Sequence, residues 1–311
     1  MATYKTIPFL RSSRGLNVVT DPVRIMFDPE KGIVDLATAY NVDIDSSGRI
    51  SRRSGQTLKG NWNSRDSFCE GGECLFVSGS SLYRLNADYT RTGVRSGLTS
   101  EERMWYVQVG NKIYYANGIE RGYVVGGISY IWQKGIYYGP VTSRVFSNPP
   151  EHITMLEVYK GRLYAVVDDV IWYSEPLNYG AFDLAANFIP AGSNVRFIKA
   201  SYGATDRESD GLYVGTDKGV IFLEGDEPDK FSLEQVSDSP PVIGTAVRAE
   251  SALTGDGKSG KEVIWTAQNG IWIGNANGSA ICVTKDKLVF PSALNGAAVY
   301  HKGKYIVLLQ E

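Results

Sequence analysis

A repeated strand pattern is the feature that most constrains the fold of this chain. Short apolar segments each carry an aliphatic residue followed by an aromatic one. They are Leu82-Tyr83, Ile113-Tyr114, Leu163-Tyr164, Leu212-Tyr213, Ile264-Trp265 and, in reverse order, Tyr305-Ile306. By subtraction, successive pairs begin 31, 50, 49, 52 and 41 residues apart. Units of about 40–50 residues, each made of a few short strands, are typical of a β-propeller. Two β-sandwiches would explain the strands equally well but not this spacing.

The spacing predicts an all-β fold, a single β-propeller of about six blades. Five internal blades are predicted near 73–96, 103–133, 153–189, 195–236 and 246–288. The sixth is predicted to form when the final strand at 297–309 pairs with an opening hairpin at 40–58. Such a closure would hide edge strands that otherwise invite aggregation. The propeller domain is therefore predicted to cover residues 38–311.

The opening hairpin is predicted from residues 38–58. Tyr40, Val42 and Ile44 alternate with polar residues, which is the period of a half-buried strand. The turn that follows ends at Gly48, where positive φ is expected. Positive φ is also expected at Gly270, within the hairpin signal Asn269-Gly270.

The same stretch resembles the opening of bacteriophage tail β-propeller proteins. The residues that carry the resemblance are Asn41-Val42-Asp43-Ile44-Asp45, Gly48-Arg49, Arg52-Arg53-x-Gly55 and, upstream, Gly15-Leu16-Asn17. They cover about the first sixth of the chain. Such proteins include the nozzle or hub proteins of short-tailed phages. The resemblance implies a ring assembled with other tail proteins, and passage of DNA without readout of its sequence.

Residues 1–37 show no sustained period and are predicted to form an irregular N-terminal arm. Several apolar residues in this stretch would be costly to leave in water, so we expect the arm to dock on a second copy or an adjoining tail protein. The alternative is that it folds back across its own propeller. The expected partner-binding residues are Phe9, Leu10, Arg11, Arg14, Met26 and Phe27.

Composition narrows the class of protein further. The 19 tyrosines, 6 tryptophans and 34 glycines suit strands joined by tight turns. A net charge of −2 argues against a basic nucleic-acid binder, although a local arginine surface stays open. Cys69 and Cys74 flank a Glu-Gly-Gly-Glu loop and could bridge if oxidised, although a reduced loop is expected, and Cys282 is left over. No apolar stretch is long enough to span a membrane, so the chain is expected to be made in a cytoplasm and to stay soluble. The resemblance to tail proteins implies that it resides in the virion tail.

Four motifs were weighed as sites of chemistry, and each is better explained as a turn. Gly255-x-x-x-x-Gly260-Lys261 matches part of a phosphate-binding loop, but Glu262 replaces the expected Ser or Thr. Asp43-x-Asp45-x-Ser47-Gly48 resembles the start of a calcium loop but lacks the closing Glu. His152, His301 and the pair Asp168-Asp169 fall where turns are expected. The sequence therefore predicts no catalytic residue, metal or cofactor.

The leading hypothesis is a non-enzymatic virion protein of a phage tail. The alternative is a propeller that binds or cleaves glycans at the host surface. That alternative depends on three aromatic stretches, Met104-Trp105-Tyr106, Tyr137-Tyr138 and Trp172-Tyr173. Packing between blades is the more common use of such residues.

Overall fold

The computed structural model describes residues 12–25, 27–28, 32–45, 47–55, 57–99, 101–136, 146–205, 210–249, 253–254 and 259–311. Within these ranges the fold is all-β, as predicted. Its only helical elements there are two 3-10 turns, Pro22–Arg24 and Pro228–Lys230.

The segment before the opening hairpin is not irregular where it is described. It forms a small sheet in the order β1-β3-β2, with β1 parallel to β3. The strands are β1 (Ser12–Leu16), β2 (Phe27–Asp28) and β3 (Ile33–Leu36). The prediction of an arm without strands was wrong here. These strands are too short to show a period, and β1 is held partly by a distant partner, the Gly48 carbonyl that accepts from Ser13 N–H.

The opening hairpin is present as predicted. It consists of β4 (Val42–Ile44) and β5 (Ile50–Arg52), which pair antiparallel. The Asp45 carboxylate accepts from the backbone N–H groups of Ser47 and Arg49 and so fixes the turn. Gly48 has φ +80°, and a Cβ there would lie 2.7 Å from Ser13 O, so both its conformation and its surroundings require glycine.

Four antiparallel sheets follow, and the largest, of eight strands, contains both the fourth and the fifth of the five predicted blades. The first blade is β6 (Ser64–Glu70), β7 (Glu73–Ser78), β8 (Ser81–Leu85) and β9 (Arg91–Ser96). The second is β10 (Trp105–Val109), β11 (Lys112–Ala116), β12 (Arg121–Val125) and β13 (Ile128–Tyr130). The third is β14 (Met155–Tyr159), β15 (Arg162–Val167), β16 (Val170–Glu175), β17 (Asn178–Phe182) and β18 (Phe188–Pro190).

The fourth and fifth blades are joined at one point. The fourth is β19 (Val195–Gly203), β20 (Gly211–Thr216), β21 (Gly219–Glu224) and β22 (Ser232–Ser237). The fifth is β23 (Val247–Ala249), β24 (Ser259–Ala267), β25 (Gly270–Gly274) and β26 (Ala280–Cys282). The end of β19 also pairs with β24, at Tyr202 and Lys261. Gly270, at the β24–β25 turn, has the expected positive φ, +143°.

Apolar clusters fill the space between successive blades. Tyr115 and Leu75 lie between the first and second, and Phe182 and Tyr114 lie between the second and third. Similar clusters separate the third from the fourth and the fourth from the fifth. Full burial of a large apolar side chain contributes about 1.5–3 kcal/mol, so these clusters hold the blades together. Because inner strands of several blades line one common cavity, the arrangement is a β-propeller.

The chain ends in a separate two-stranded unit, which we call the last hairpin. It consists of β27 (Asn295–His301) and β28 (Lys304–Gln310), and β27 lies beside β23. The predicted pairing of the final strand with the opening hairpin was wrong for the described residues, where β28 pairs only with β27 and β4 only with β5. A two-residue turn at Lys302-Gly303, both with positive φ, makes the local hairpin possible. Local closure costs less chain entropy than pairing with a strand more than 250 residues away.

The first two cysteines form a disulfide. The β6–β7 register places Cys69 directly opposite Cys74, with their Cα atoms 4.2 Å apart. The expectation of a reduced loop was therefore wrong. Cys282 is a free thiol.

Candidate functional site: the central cavity and the last hairpin

The inner strands of the propeller surround a cavity of about 470 Å³. Its charged lining residues are Asp66, Glu70, Arg103, Lys199 and Arg248. They come from strands or strand ends of the first, second, fourth and fifth blades, and Ala297 to Tyr300 of the last hairpin complete the wall.

An ion-pair network includes three of these charged lining residues, Glu70, Lys199 and Arg248. The Glu157 carboxylate, only 1% exposed, lies 3.1 Å from Lys199 Nζ and 3.5 Å from Arg248 Nη1. Arg248 Nη2 in turn lies 3.5 Å from Glu70 Oε1. The network joins the inner strands of four blades. Burial, together with the negative charge of Glu157, raises the pKa of the neighbouring Tyr202 hydroxyl well above its ordinary value.

Arg103 is another charged residue that lines the cavity. Its Nη2 donates to Gly296 O at 2.6 Å, and its guanidinium lies over the Trp105 ring. Burial lowers the pKa of Arg103 from its ordinary value, against the opposing charge of Asp66. Gly244 makes room for this arrangement, since a Cβ there would overlap the guanidinium.

The carboxylates in and beside the cavity are bound to cations or N–H donors of the protein itself. Glu70 and Glu157 are paired with cations, and Asp66 accepts from Arg65 and from Met104 N–H. Each of these three carboxylates therefore has a hydrogen-bond donor or a cation within the protein as its partner. No group of three or more metal-binding side chains occurs among the described residues.

The predicted partner-binding residues are only partly placed. Phe9, Leu10, Arg11 and Met26 lie outside the described residues, and for Phe27 only the backbone, in β2, is described. Arg14 is 53% exposed, with its Nε 3.3 Å from Asp35 Oδ1. Its carbonyl accepts from Lys287, beyond the fifth blade, so β1 touches the propeller at this point.

The residue that follows the phosphate-loop motif is bonded to the residues that precede it. Glu262 is fully buried and accepts from the backbone N–H groups of Leu253 and Thr254 and from the Thr254 hydroxyl. Leu253 and Thr254 lie before Gly255, the first residue of the motif. Within the motif, residues 255–258 lie outside the described residues.

The calcium-loop motif is a turn surrounded by cations. Asp43 lies 2.6 Å from Lys304 Nζ and 3.4 Å from Arg53 Nε. The hydrogen bond from Lys304 is the largest cause of the lowered pKa of Asp43. A hydrogen bond from the Ser47 hydroxyl lowers the pKa of Asp45 in the same way. Both carboxylates therefore serve the turn and its contact with the last hairpin.

The remaining candidate residues also lie in turns or cores. His152 is exposed with φ +58°, His301 ends β27 at its turn, and Asp168-Asp169 forms the β15–β16 turn. Tyr106 and Tyr173 are buried, and Trp105 and Trp172 pack partly buried against clusters between blades. Tyr137-Tyr138 lies outside the described residues.

The last hairpin carries an apolar surface that the sequence analysis missed. Val299, Ile306 and Leu308 are 51%, 52% and 73% exposed, and the register places Val299 opposite Ile306 and Ala297 opposite Leu308. We call these four residues the open face. The sequence of β28 could have predicted this surface. Ile306 and Leu308 alternate there with Tyr305, Val307 and Leu309, so that both faces of the strand are apolar.

Comparisons with known proteins do not identify the chain. No protein-family model and no curated protein matches it. It is similar to the extracellular domain of the putative one-component system BT4673 from B. thetaiotaomicron, with 12% identity and a TM-score of 0.49, covering 89% of this chain and 34% of that one. For BBS1N, solved in complex with ARL6DN, the identity is 17% and the TM-score 0.46, over 77% and 71% of the two chains. The Neurospora crassa Pan2 WD40 domain gives 12% and 0.44, over 74% and 66%. At these TM-scores we draw the fold from the sheets themselves.

No helix among the described residues is long and apolar enough to cross a membrane.

Proposed function

We propose that this chain is a non-enzymatic structural protein of a phage tail, a nozzle or hub component that assembles in a ring. Its location would be the virion tail, and its partners further copies and neighbouring tail proteins. The proposal rests on the opening motif, which resembles that of tail propellers and folds as the β4–β5 hairpin. The open face of the last hairpin is the observation that carries the assembly role.

The open face supports assembly because its apolar side chains are exposed to solvent in the single chain. A two-stranded hairpin is marginally stable in water by itself, and contiguous exposed apolar residues mark interaction sites. The last hairpin has the fifth blade on one side, where the Tyr305 hydroxyl bonds Thr266 and Thr245, and exposed apolar residues on the other. We propose that it is the inner half of a sixth blade that assembly completes.

In this proposal DNA passes between the copies of a ring and not through the axis of one propeller. The central cavity measures about 470 Å³, and its lining residues Lys199, Arg248 and Glu70 form one ion-pair network with Glu157. The major groove of B-DNA alone is about 12 Å wide, so a duplex does not fit there. A net charge of −2 suits a passage that releases DNA, since a strongly basic wall would bind its phosphates.

The glycan hypothesis gains no specific support. The described aromatic residues on which it depended lie between blades, and we do not carry it further.

Light scattering and negative-stain electron microscopy of the purified full chain test the proposal. We expect closed rings whose mass is an integer multiple of 34.1 kDa. A protein that stays monomeric at micromolar concentration, and that is absent from purified virions of its phage, would overturn it.

A further inference from the structure

We propose that residues 3–10 of a neighbouring copy add to the free edge of β28 as a third strand of the sixth blade. The inference rests on the proposed ring assembly and names the segment that joins one copy to the next. Four features carry it: the edge of β28, the open face, the chemistry of residues 3–10 and the length of the chain before Ser12.

The free edge of β28 follows from its turn. His301 and Lys304 flank a two-residue turn, so they form a hydrogen-bonded pair, and such pairs alternate along the hairpin. The N–H and C=O groups of Ile306 and Leu308 therefore point toward β27. Those of Tyr305, Val307 and Leu309 point away from it, and no strand of the described chain pairs with that edge. An exposed row of this kind is a template for strand addition.

The open face identifies the chemistry of the incoming strand. Val299, Ile306 and Leu308 are each at least half exposed. Side chains of an added strand on the same face would lie beside Ile306 and Leu308, so apolar side chains are the ones that fit there. The first two blades have four strands each, whereas the last hairpin has two. An added strand would move the sixth unit toward the size of these blades.

Residues 3–10 have the required composition. The stretch is Thr-Tyr-Lys-Thr-Ile-Pro-Phe-Leu, in which Ile7 and Phe9 alternate with Pro8 and Leu10, so both faces of a strand would be apolar. Pro8 has no N–H, and such a residue is tolerated in a strand only where that position faces away from the partner. Ile7 and Phe9 would then bond β28, and Pro8 would prevent a further strand from adding.

The length of the segment permits a contact beyond its own copy. The described structure begins at Ser12, beside the turn of the opening hairpin, and the eleven residues before it reach about 36–40 Å when extended. Donor segment and acceptor edge are different surfaces, so the contact is head-to-tail. Repetition of a head-to-tail contact closes a ring when the rotation between copies permits.

Photo-crosslinking of the full chain tests the inference. Leu308 is replaced by benzoylphenylalanine, and unlabelled protein is mixed and reassembled with a ¹⁵N-labelled copy before irradiation. Trypsin should release residues 6–11 as one peptide, and we expect this peptide crosslinked to the β28 peptide in mixed-isotope pairs. Benzoylphenylalanine at Leu233, exposed on β22, is the control and should not capture it.

The outcomes separate this inference from the proposed function. Crosslinks between peptides of the same isotope only would show that the segment completes its own copy, which overturns the inference. Rings without any crosslink to residues 6–11 would also overturn it and leave the tail function standing. A monomer without crosslinks would count against both.

A matched pair of variants gives an independent readout. Val307→Pro removes an N–H that faces the free edge and leaves the β27–β28 bonds in place, whereas Val307→Thr keeps that N–H. We expect the Thr variant to assemble normally and the Pro variant to lose assembly with its melting temperature nearly unchanged. Assembly by the Pro variant at wild-type concentrations would contradict strand addition.

Discussion

The third blade and the last hairpin are built from similar sequence and end in opposite environments. In β15 the successive residues Leu163, Tyr164, Ala165 and Val166 are all fully buried. In β28 the equally apolar Ile306 and Leu308 are 52% and 73% exposed. The third blade lies between the second and fourth, whereas among the described elements the last hairpin bonds the fifth blade through Tyr305 and leaves the open face exposed. Apolar alternation therefore specifies a face, and the number of neighbouring sheets decides whether that face is buried.

The largest expected effect is a loss of unfolding free energy when a large apolar side chain is truncated in the third blade but not in the last hairpin. Phe182 lies fully buried between the second and third blades and packs edge-on against Trp132. Because truncation leaves a cavity that such a core cannot refill, Phe182→Ala should lower the free energy of unfolding by about 3–5 kcal/mol. Leu308→Ala in the monomer should change it by less than about 0.5 kcal/mol. Denaturant unfolding measures both, and equal losses would erase the distinction between the regions.

The second prediction concerns the network that braces the complete blades. Glu157→Gln leaves Lys199 and part of Arg248 without their buried counter-charge and should cost about 3 kcal/mol. Glu70→Gln removes the exposed end of the same network and should cost about 1 kcal/mol or less. Chemical denaturation of the two variants gives the comparison. If both substitutions have a similar small cost, water reaches the Glu157 carboxylate more readily than its low exposed fraction indicates.

The third prediction concerns the attachment of the last hairpin to the fifth blade. Tyr305→Phe removes hydrogen bonds to Thr245 O at 2.8 Å and to the Thr266 hydroxyl at 2.9 Å, and should cost about 1 kcal/mol. Unfolding of the two proteins at neutral pH measures this cost.

The same tyrosine gives a pH dependence. Burial raises the pKa of Tyr305 to about 12, from 10.0 in the unfolded chain. Its stabilising contribution is therefore complete below pH 10 and is lost as the pH rises toward 12. The slope of stability between pH 10 and 12 should be smaller in the Phe variant. An unchanged slope would place the ionisation elsewhere, since other buried tyrosines also have raised pKa values.

The smallest expected effect is at the contact between the opening hairpin and the last hairpin. The lowered pKa of Asp43, caused first by the hydrogen bond from Lys304, means that this contact stabilises the protein above the ordinary carboxyl pKa. The contribution is lost as the pH falls through the folded-state pKa. Asp43→Asn should slightly lower the melting temperature at pH 6 and make little difference at pH 2. High salt should remove that difference, because the pair is exposed. A difference that persists at pH 2 would point to packing.

Much of the fold was predictable from the sequence because its signals are local. The five blades follow from strands and turns that repeat within about 50 residues, and the opening hairpin follows from an Asx turn and a glycine at positive φ. The turn between β24 and β25 was equally visible, through Asn269-Gly270. These features depend on neighbours along the chain, whose chemistry the sequence shows directly.

Only the tertiary structure decided which distant residues meet. Arg103 bonds a carbonyl 193 positions away, and Arg248 reaches Glu157 across 91 positions, with no spacing in the sequence to suggest either contact. The Cys69–Cys74 disulfide depended on a strand register, and the choice of β27 as the partner of β28 depended on competition between a local turn and a distant strand. Which distant residues come into contact depends on the interaction energies of many competing pairs. A sequence pattern shows only which residues are able to form such contacts.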